Sequence, residues 1–360
     1  MPLVLEGFEL RLKTSEEFLN ADFRQHFLIR RVLVQGQHCV LGGPKKVLKT
    51  SLLVDLALSL ATGTPWLGNP DFAVPDAVPV MLLSGESGGY TLRETARRIA
   101  LAKNQLLSSA KVFWGFDLPQ LGNAEHLGVL EVEIKRLGIK VAIIDPAYLC
   151  LLSAGASANI TSNVFAMGAL LKNISDIGTR TGCTMIICHH TRKADRQSSP
   201  FGVPDLEDLS GSGFAEWARQ WVLLNRREAY QGDGKHSLWM TGGGSAGHSG
   251  TYAFDVAEGV ISEDGDGRTW DVSVSKATEA VQRSKAEKET AKEQKAREAI
   301  LAAYALFPDG ETGRTIREAA GISGVKFGSI NAVLIAAGIV EHCQITKNKR
   351  DEAAFRLVPP

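Results

Sequence analysis

The chain has 360 residues, of which 44% are hydrophobic and 22% charged. That length suits two or three globular units, and that balance excludes a dominantly disordered, collagen-like or low-complexity protein. Lys+Arg 40 against Asp+Glu 40 gives a formal net charge of +0, so no global field marks a nucleic-acid or acidic-membrane partner and any such contact must be local.

Residues 1–36 form a lead-in whose start, MPLVLEGFELRLKTSEEF, is charged every few residues where a secretory signal needs an unbroken apolar stretch. No window approaches the ~20 apolar residues of a membrane span, so a cytoplasmic protein with no membrane partner is expected. Thr14 and Glu17 have capping-box spacing and predict a helix through Phe18 and Phe23. Cys39, Cys150, Cys183, Cys188 and Cys343 show neither a C-x-x-C pair nor a zinc-like His spacing and read as reduced core thiols.

Residues 37–276 carry the main unit. Short apolar runs alternate with helical patterns: HCVLGG then KTSLLVDLALSLATG, VPVMLLSGE then TLRETARRIALAK, KVFWGF then EHLGVLEVEIKRLG, VAIIDPAY then NVFAMGALLKNISDIGTRTG, and finally TMIICHH. This rhythm predicts a parallel sheet with helices on both faces, an α/β fold. After the Gly/Ser/Pro-rich QSSPFGVPDLEDLSGSG come WVLLNRREAY, KHSLWMTGGG, GTYAFDVAEG and RTWDVSVSK, expected as antiparallel strands extending the same sheet.

Residues 277–298 mix Lys, Arg and Glu with Ala, with Glu279/Arg283 and Glu293/Arg297 as i,i+4 pairs, which predicts a solvated connecting helix. Residues 299–360 show three helices and a hairpin-like pair, the order of a winged helix-turn-helix. On a DNA reading, the helix around 326–337 enters a groove while Lys347, Lys349 and Arg350 meet phosphate on the wing. On the other reading the unit is an assembly module, because Asp351 and Glu352 offset the wing's charge.

The segment Gly43, Pro44, Lys45, Lys46, Val47, Leu48, Lys49, Thr50, Ser51 follows an apolar strand and opens an apolar helix, the context in which a G-x-x-x-x-G-K-[ST] match carries meaning. Such a loop turns backbone N–H groups toward phosphate, with a lysine for the β/γ-phosphates and a hydroxyl for Mg²⁺. Leu48 stands where the pattern has its second glycine. A left-handed leucine costs roughly 1–2 kcal/mol, so near-helical backbone is expected there. Three other strands end in polar groups at what would be the same carboxyl edge: Asp145, suited to a magnesium water shell; Glu86, suited to an attacking water; and His189 with His190. Each has a plainer reading, as a turn cap, a helix N-terminal acid or a satisfied core histidine.

Together LGGPKKVLKTSLLVDLALSLATGTPWLG, LLSGE, AIIDP, CHHTRK and SGSGFAEWARQWVLL resemble the RecA-type ATPases, and most closely the plasmid replication helicase RepA group, over residues 27–276. The resemblance implies a RecA-like core binding ATP and Mg²⁺. It makes Lys49 and Thr50 the phosphate and magnesium contacts, Glu86 the catalytic base, Asp145 the second magnesium residue and His190 a γ-phosphate sensor, with His189 the alternative. It implies that Arg219 enters a neighbouring subunit's site, with Arg226 and Arg227 as alternatives, in a homo-oligomeric ring of about six. It further implies a channel for single-stranded DNA, lined by Arg192, Lys193 and Arg196, with Phe201 as a stacking face.

The leading expectation is therefore an oligomeric, helicase-like ATPase acting on DNA in replication or a mobile-element transaction. A nucleotide-gated DNA-binding regulator that reads duplex through the winged helix without unwinding is the second reading, and a small-molecule kinase the third.

Overall fold

The computed structural model describes residues 12–151, 163–192, 200–263, 267–347 and 350–359. The chain divides into two compact units, 1–277 and 278–360.

The first unit opens with α1 (Ser15–Asn20), capped as its sequence predicts: Glu17 N donates to Thr14 Oγ1 at 3.2 Å and Thr14 N donates to Glu17 Oε2 at 2.7 Å. The helix ends before Phe23, shorter than the expected run. β1 (Phe27–Ile29) and β2 (Leu33–Val34) pair antiparallel. Gln220 fastens this hairpin to the main sheet, accepting from Val34 N at 2.8 Å and donating to Val34 O at 2.9 Å.

There follow β3 (Cys39–Gly43), α2 (Lys49–Thr62), β4 (Val80–Ser84), α3 (Gly89–Ala102), β5 (Val112–Gly115), α4 (Ala124–Leu137), β6 (Val141–Asp145), α5 (Val164–Thr181), β7 (Thr184–His190), α6 (Phe214–Trp217), β8 (Gln220–Arg226), β9 (Lys235–Gly244), β10 (Ser249–Ala257) and β11 (Asp271–Lys276). β3 to β11 build one nine-stranded sheet in the order β11-β10-β9-β8-β3-β7-β6-β4-β5. β3 and β6 are buried along their whole length and β7 along all but its last residue, which is why these strands read as continuous apolar runs. Alternate residues serve opposite faces. Cys39, Leu41, Val141, Ile143, Ile186 and Cys188 pack on one face with α2 and α3. Val40, Ala142, Ile144, Met185 and Ile187 pack on the other with α4 and α5. This mixed sheet flanked by helices fits a RecA-like core.

One expected pairing is corrected. β8 runs parallel to β3, with Gln220 opposite Cys39, and only β9, β10 and β11 continue antiparallel. The chain between β7 and β8 returns over the α5 face, where Phe214 and Trp217 are buried, and so re-enters the sheet at its amino edge.

In the second unit a continuous α7 (Ala277–Ala305) covers both the expected connector and the helix after it. α8 (Gly313–Ala320) and α9 (Gly324–Ala336) meet at 110°, and β12 (Val340–Lys347) pairs antiparallel with β13 (Arg350–Leu357). Ile300, Tyr304, Ile316, Phe327 and Leu334 make a separate small core. Within it Tyr304 Oη donates to Asn331 Oδ1 at 2.6 Å, and burial pushes the phenol up to about 12. No single helix among the described residues is long and apolar enough to cross a membrane.

The main unit contains a buried ionic knot. Asp55, 1% exposed, accepts from Trp270 Nε1 at 2.6 Å and Leu67 N at 3.1 Å, and pairs with Lys103 Nζ at 2.9 Å. Asp55→Ala strands a buried ammonium and an indole N–H, so urea unfolding is expected to show a loss of about 3–5 kcal/mol. A loss under 1 kcal/mol would mean that the knot does not hold α2 to the segment that enters β11.

Candidate active site

The carboxyl ends of β3, β4, β6, β7 and β8 open into a cleft of 540 Å³ lined by the 45–51 loop, Glu86, Asp145, His190 and Arg226. The register dictates this. Gly43 lies opposite His190 across β3 and β7, Ile144 opposite Ile187 across β6 and β7, and Ser84 opposite Asp145 across β4 and β6, so four chain turns leave the sheet at one level.

The loop itself is rigidly seated. A Cβ on Gly43 would lie 2.9 Å from Val47 Cγ1 and 3.1 Å from Leu224 Cβ, too close for any other residue. Val47 is fully buried while Lys45 and Lys46 are exposed. Lys46 (φ 58) and Leu48 (φ 62) are both left-handed, on either side of Val47, an alternation that turns successive N–H groups into an anion-binding concavity. The near-helical backbone expected at Leu48 is thus corrected. The turn into α2 requires the left-handed residue, and the leucine side chain packs against the large core, which offsets the strain. No side chain caps the N-terminus of α2, leaving its first N–H groups and dipole directed at the cleft.

Lys49 Nζ donates to Gly43 O at 3.0 Å, to Pro44 O at 2.7 Å and to His190 Nδ1 at 3.3 Å. An ammonium only donates, so His190 presents a bare Nδ1 to it. Burial lowers the Lys49 pKa, opposed by the charges of Asp145 and Glu86. Burial first, then Lys49, lowers that of His190 and keeps the ring neutral. Thr50 Oγ1 donates to Asp145 Oδ2 at 2.7 Å. Beneath them burial, reinforced by Asp145, holds Cys188 as a thiol. Glu86 is exposed and its Oε1 accepts a hydrogen bond from Tyr148 Oη.

Five of the expected residues therefore converge: Lys49, Thr50, Glu86, Asp145 and His190. Thr50 and Asp145 supply hard oxygen donors suited to Mg²⁺. The alternative sensor His189 faces away: its Nε2–H donates to Ser210 O at 2.7 Å and its ring stacks on Phe214 at 3.7 Å. Arg219 is exposed at the amino end of β8, its N donating to His38 O at 3.2 Å, on the opposite edge from its own chain's cleft. Arg226, at the carboxyl end, donates from Nη2 to Lys46 O at 2.6 Å and its Nε is buried without a partner. Arg227 pairs with Asp255.

Among the expected nucleic-acid contacts, Arg192 is exposed and donates from Nε to Leu209 O at 3.1 Å. Lys347 pairs with Glu311 at 2.9 Å, and Arg350 faces Lys347 across the hairpin. Lys193, Arg196 and Lys349 lie outside the described residues. Sequence reasoning missed Tyr148, though it stands in the quoted VAIIDPAY run, and it missed Tyr230, His236 and Glu258, which wall the far end of the cleft and belong to no motif.

Two tests follow from this geometry. Leu48→Ile keeps volume but puts a β-branched residue at φ 62, so unfolding is expected to show about 1–2 kcal/mol of destabilisation; wild-type stability would contradict the left-handed turn. Burial pushes His189 down to about 4 from 6.5. The unfolded chain then binds more protons between those values, so stability falls as pH drops through that window, by about 3 kcal/mol at its lower end. His189→Gln is expected to lack this component in urea titrations from pH 7 to 4; parallel profiles for the two proteins would exclude it.

A family model described as an AAA domain matches residues 9–196, more than half of the chain. A comparison with curated proteins gave no match.

Proposed function

Because the chain belongs to this AAA-domain family of P-loop ATPases, we propose that its nucleotide hydrolysis powers an oligomeric, helicase-like motor on DNA, of the kind the RepA-group resemblance suggests. The observation that carries this reading is the meeting of Lys49, Thr50, Glu86, Asp145 and His190 in one cleft.

In this reading the Lys49 ammonium exchanges the Gly43 and Pro44 carbonyls for the β- and γ-phosphates. Thr50 and Asp145 would hold Mg²⁺, which when bound would neutralise charge on the phosphates. Glu86 orients the attacking water and takes its proton, aimed by the Tyr148 hydroxyl. His190 senses the γ-phosphate through the lysine that both contact. Arg219 lies at the far edge of its own sheet, so in this reading it serves hydrolysis only from another subunit of a ring of about six. Arg226 supplies a cationic group in cis. Single-stranded DNA would meet Arg192, Lys193, Arg196 and Phe201 in the channel-facing loop.

The three helices and hairpin of the C-terminal unit suit a winged helix, and the exposed face of α9 presents mostly small and apolar residues, Val325, Gly328, Ala332 and Val333, with Ser329 as its hydroxyl, a sparse set for reading base edges. On the wing Lys347 is already neutralised by Glu311. Its DNA contacts would be to phosphate, through Arg350 and Lys349.

Steady-state ATP hydrolysis with and without single-stranded DNA tests the proposal. Lys49→Ala is expected to lower kcat by about 100-fold or more, and Arg219→Ala by about 1,000-fold in the assembled protein with nucleotide affinity retained. Absence of hydrolysis in the wild type would remove the enzyme claim. Full activity in Arg219→Ala, or in a monomer, would remove the trans-acting arginine.

A further inference from the structure

Beyond the phosphate loop the cleft is walled by Tyr230 from the connection between β8 and β9, His236 of β9 and Glu258 just after β10; Arg226, Tyr230 and His236 also line a neighbouring pocket. Tyr230 lies flat on His236, the ring centroids 4.4 Å apart and the planes within 6°. The tyrosine Oη accepts from Gly234 N at 3.1 Å, which fixes the ring in its own plane.

The support beneath it is stiff. His236 is 7% exposed and its Nε2 bonds Glu258 Oε1 at 3.1 Å. Glu258 pairs with Arg268 at 2.6 Å and Arg98 at 3.3 Å, and Arg98 lies 5.7 Å from the ring centroid of buried Trp270. Burial works against the charge of Glu258, but the His236 bond and the two arginines outweigh it and hold the carboxyl below its ordinary range. Despite all this bracing, Tyr230 remains 41% exposed. One face is backed and the ring stays open to the cleft.

A ring braced on one side and open on the other, beyond a phosphate cradle, is what a planar base needs: it stacks without ordering anything first. The buried histidine, tied through a carboxylate to two arginines, gives Tyr230 a fixed backing. We propose that Tyr230 is the stacking platform for the base of the nucleoside triphosphate whose phosphates lie on the 43–51 loop. The assignment rests on the nucleotide reading of that loop and adds to it the residue that tells a nucleotide from a bare polyphosphate.

Calorimetric titration of the full chain, in Mg²⁺, with a non-hydrolysable ATP analogue and with inorganic tripolyphosphate separates the two ideas. Tyr230→Ala is expected to weaken the analogue about tenfold or more, the usual range for loss of one stacked base, and to leave tripolyphosphate unchanged. Tyr230→Phe, which keeps the ring, is expected to retain most of the affinity. If Tyr230→Ala leaves analogue binding intact, or weakens both ligands equally, the platform is overturned while the phosphate loop stands. If the wild type binds neither ligand, the phosphate reading fails and takes the platform with it.

Discussion

The hydrogen bond from Thr50 Oγ1 to Asp145 Oδ2, 2.7 Å long, joins residues 95 positions apart. For these atoms to meet, β3 and β6 must lie in one sheet, run the same way, stand one strand apart and end at one level. Each condition is set by packing. Continuous apolar runs put both strands in the buried centre, helical crossovers such as α2 and α5 let successive strands run parallel, and the side-chain alternation on β7 fixes the register. A slip of one residue on β6 would send Asp145 into the α4–α5 core and leave Thr50 alone at the helix N-terminus. The Lys49 to His190 contact depends on the same sheet edge from the other side of β7, so the cleft is a property of strand order before it is a property of any side chain.

The alternation of strands and helices, and the polar residues that close the strands, were the most legible part. The βα alternation and the residues closing VAIIDPAY, MLLSGE and TMIICHH are local patterns, and a strand's carboxyl end follows from chain direction alone. The choice between His189 and His190 follows from parity. Ile187 faces α5, so His189 does too, and His190 faces the phosphate loop. What local pattern does not supply is the direction in which β8 re-enters the sheet, because WVLLNRREAY is apolar enough to be buried either way. Backbone at Leu48 was likewise hidden: propensity argues against a left-handed leucine, and the tertiary demand of seating Val47 beneath the loop overrides it.

The same strand settles what each arginine can do. β8 runs from Gln220 to Arg226, about 20 Å at the rise of an extended chain, and places Arg219 before it and Arg226 at its end. From sequence the two are near neighbours; in the sheet they stand on opposite edges. Only Arg226 shares a cleft with Lys49 in the same chain. An arginine on the far edge acts on phosphate, if at all, across a boundary between copies, so any role of Arg219 in hydrolysis is tied to assembly, whereas that of Arg226 is not.

The cleft thereby divides its chemistry between two kinds of support. Groups that would hold phosphate and metal sit on buried strand ends and a helix start, where Gly43, Val47 and Asp145 have no room to move. Glu86 and Tyr230 sit on connections, yet neither is loose: Tyr148 donates to the first, and His236 backs the second. Positioning a group on a loop normally sacrifices precision. Here a neighbouring ring restores it in both places, and the rings come from different layers of the fold, one from the turn after β6 and one from β9. Glu86 is thereby tied to the chain that leaves β6, while Tyr230 is tied through His236, Glu258 and Arg98 to the core around α3.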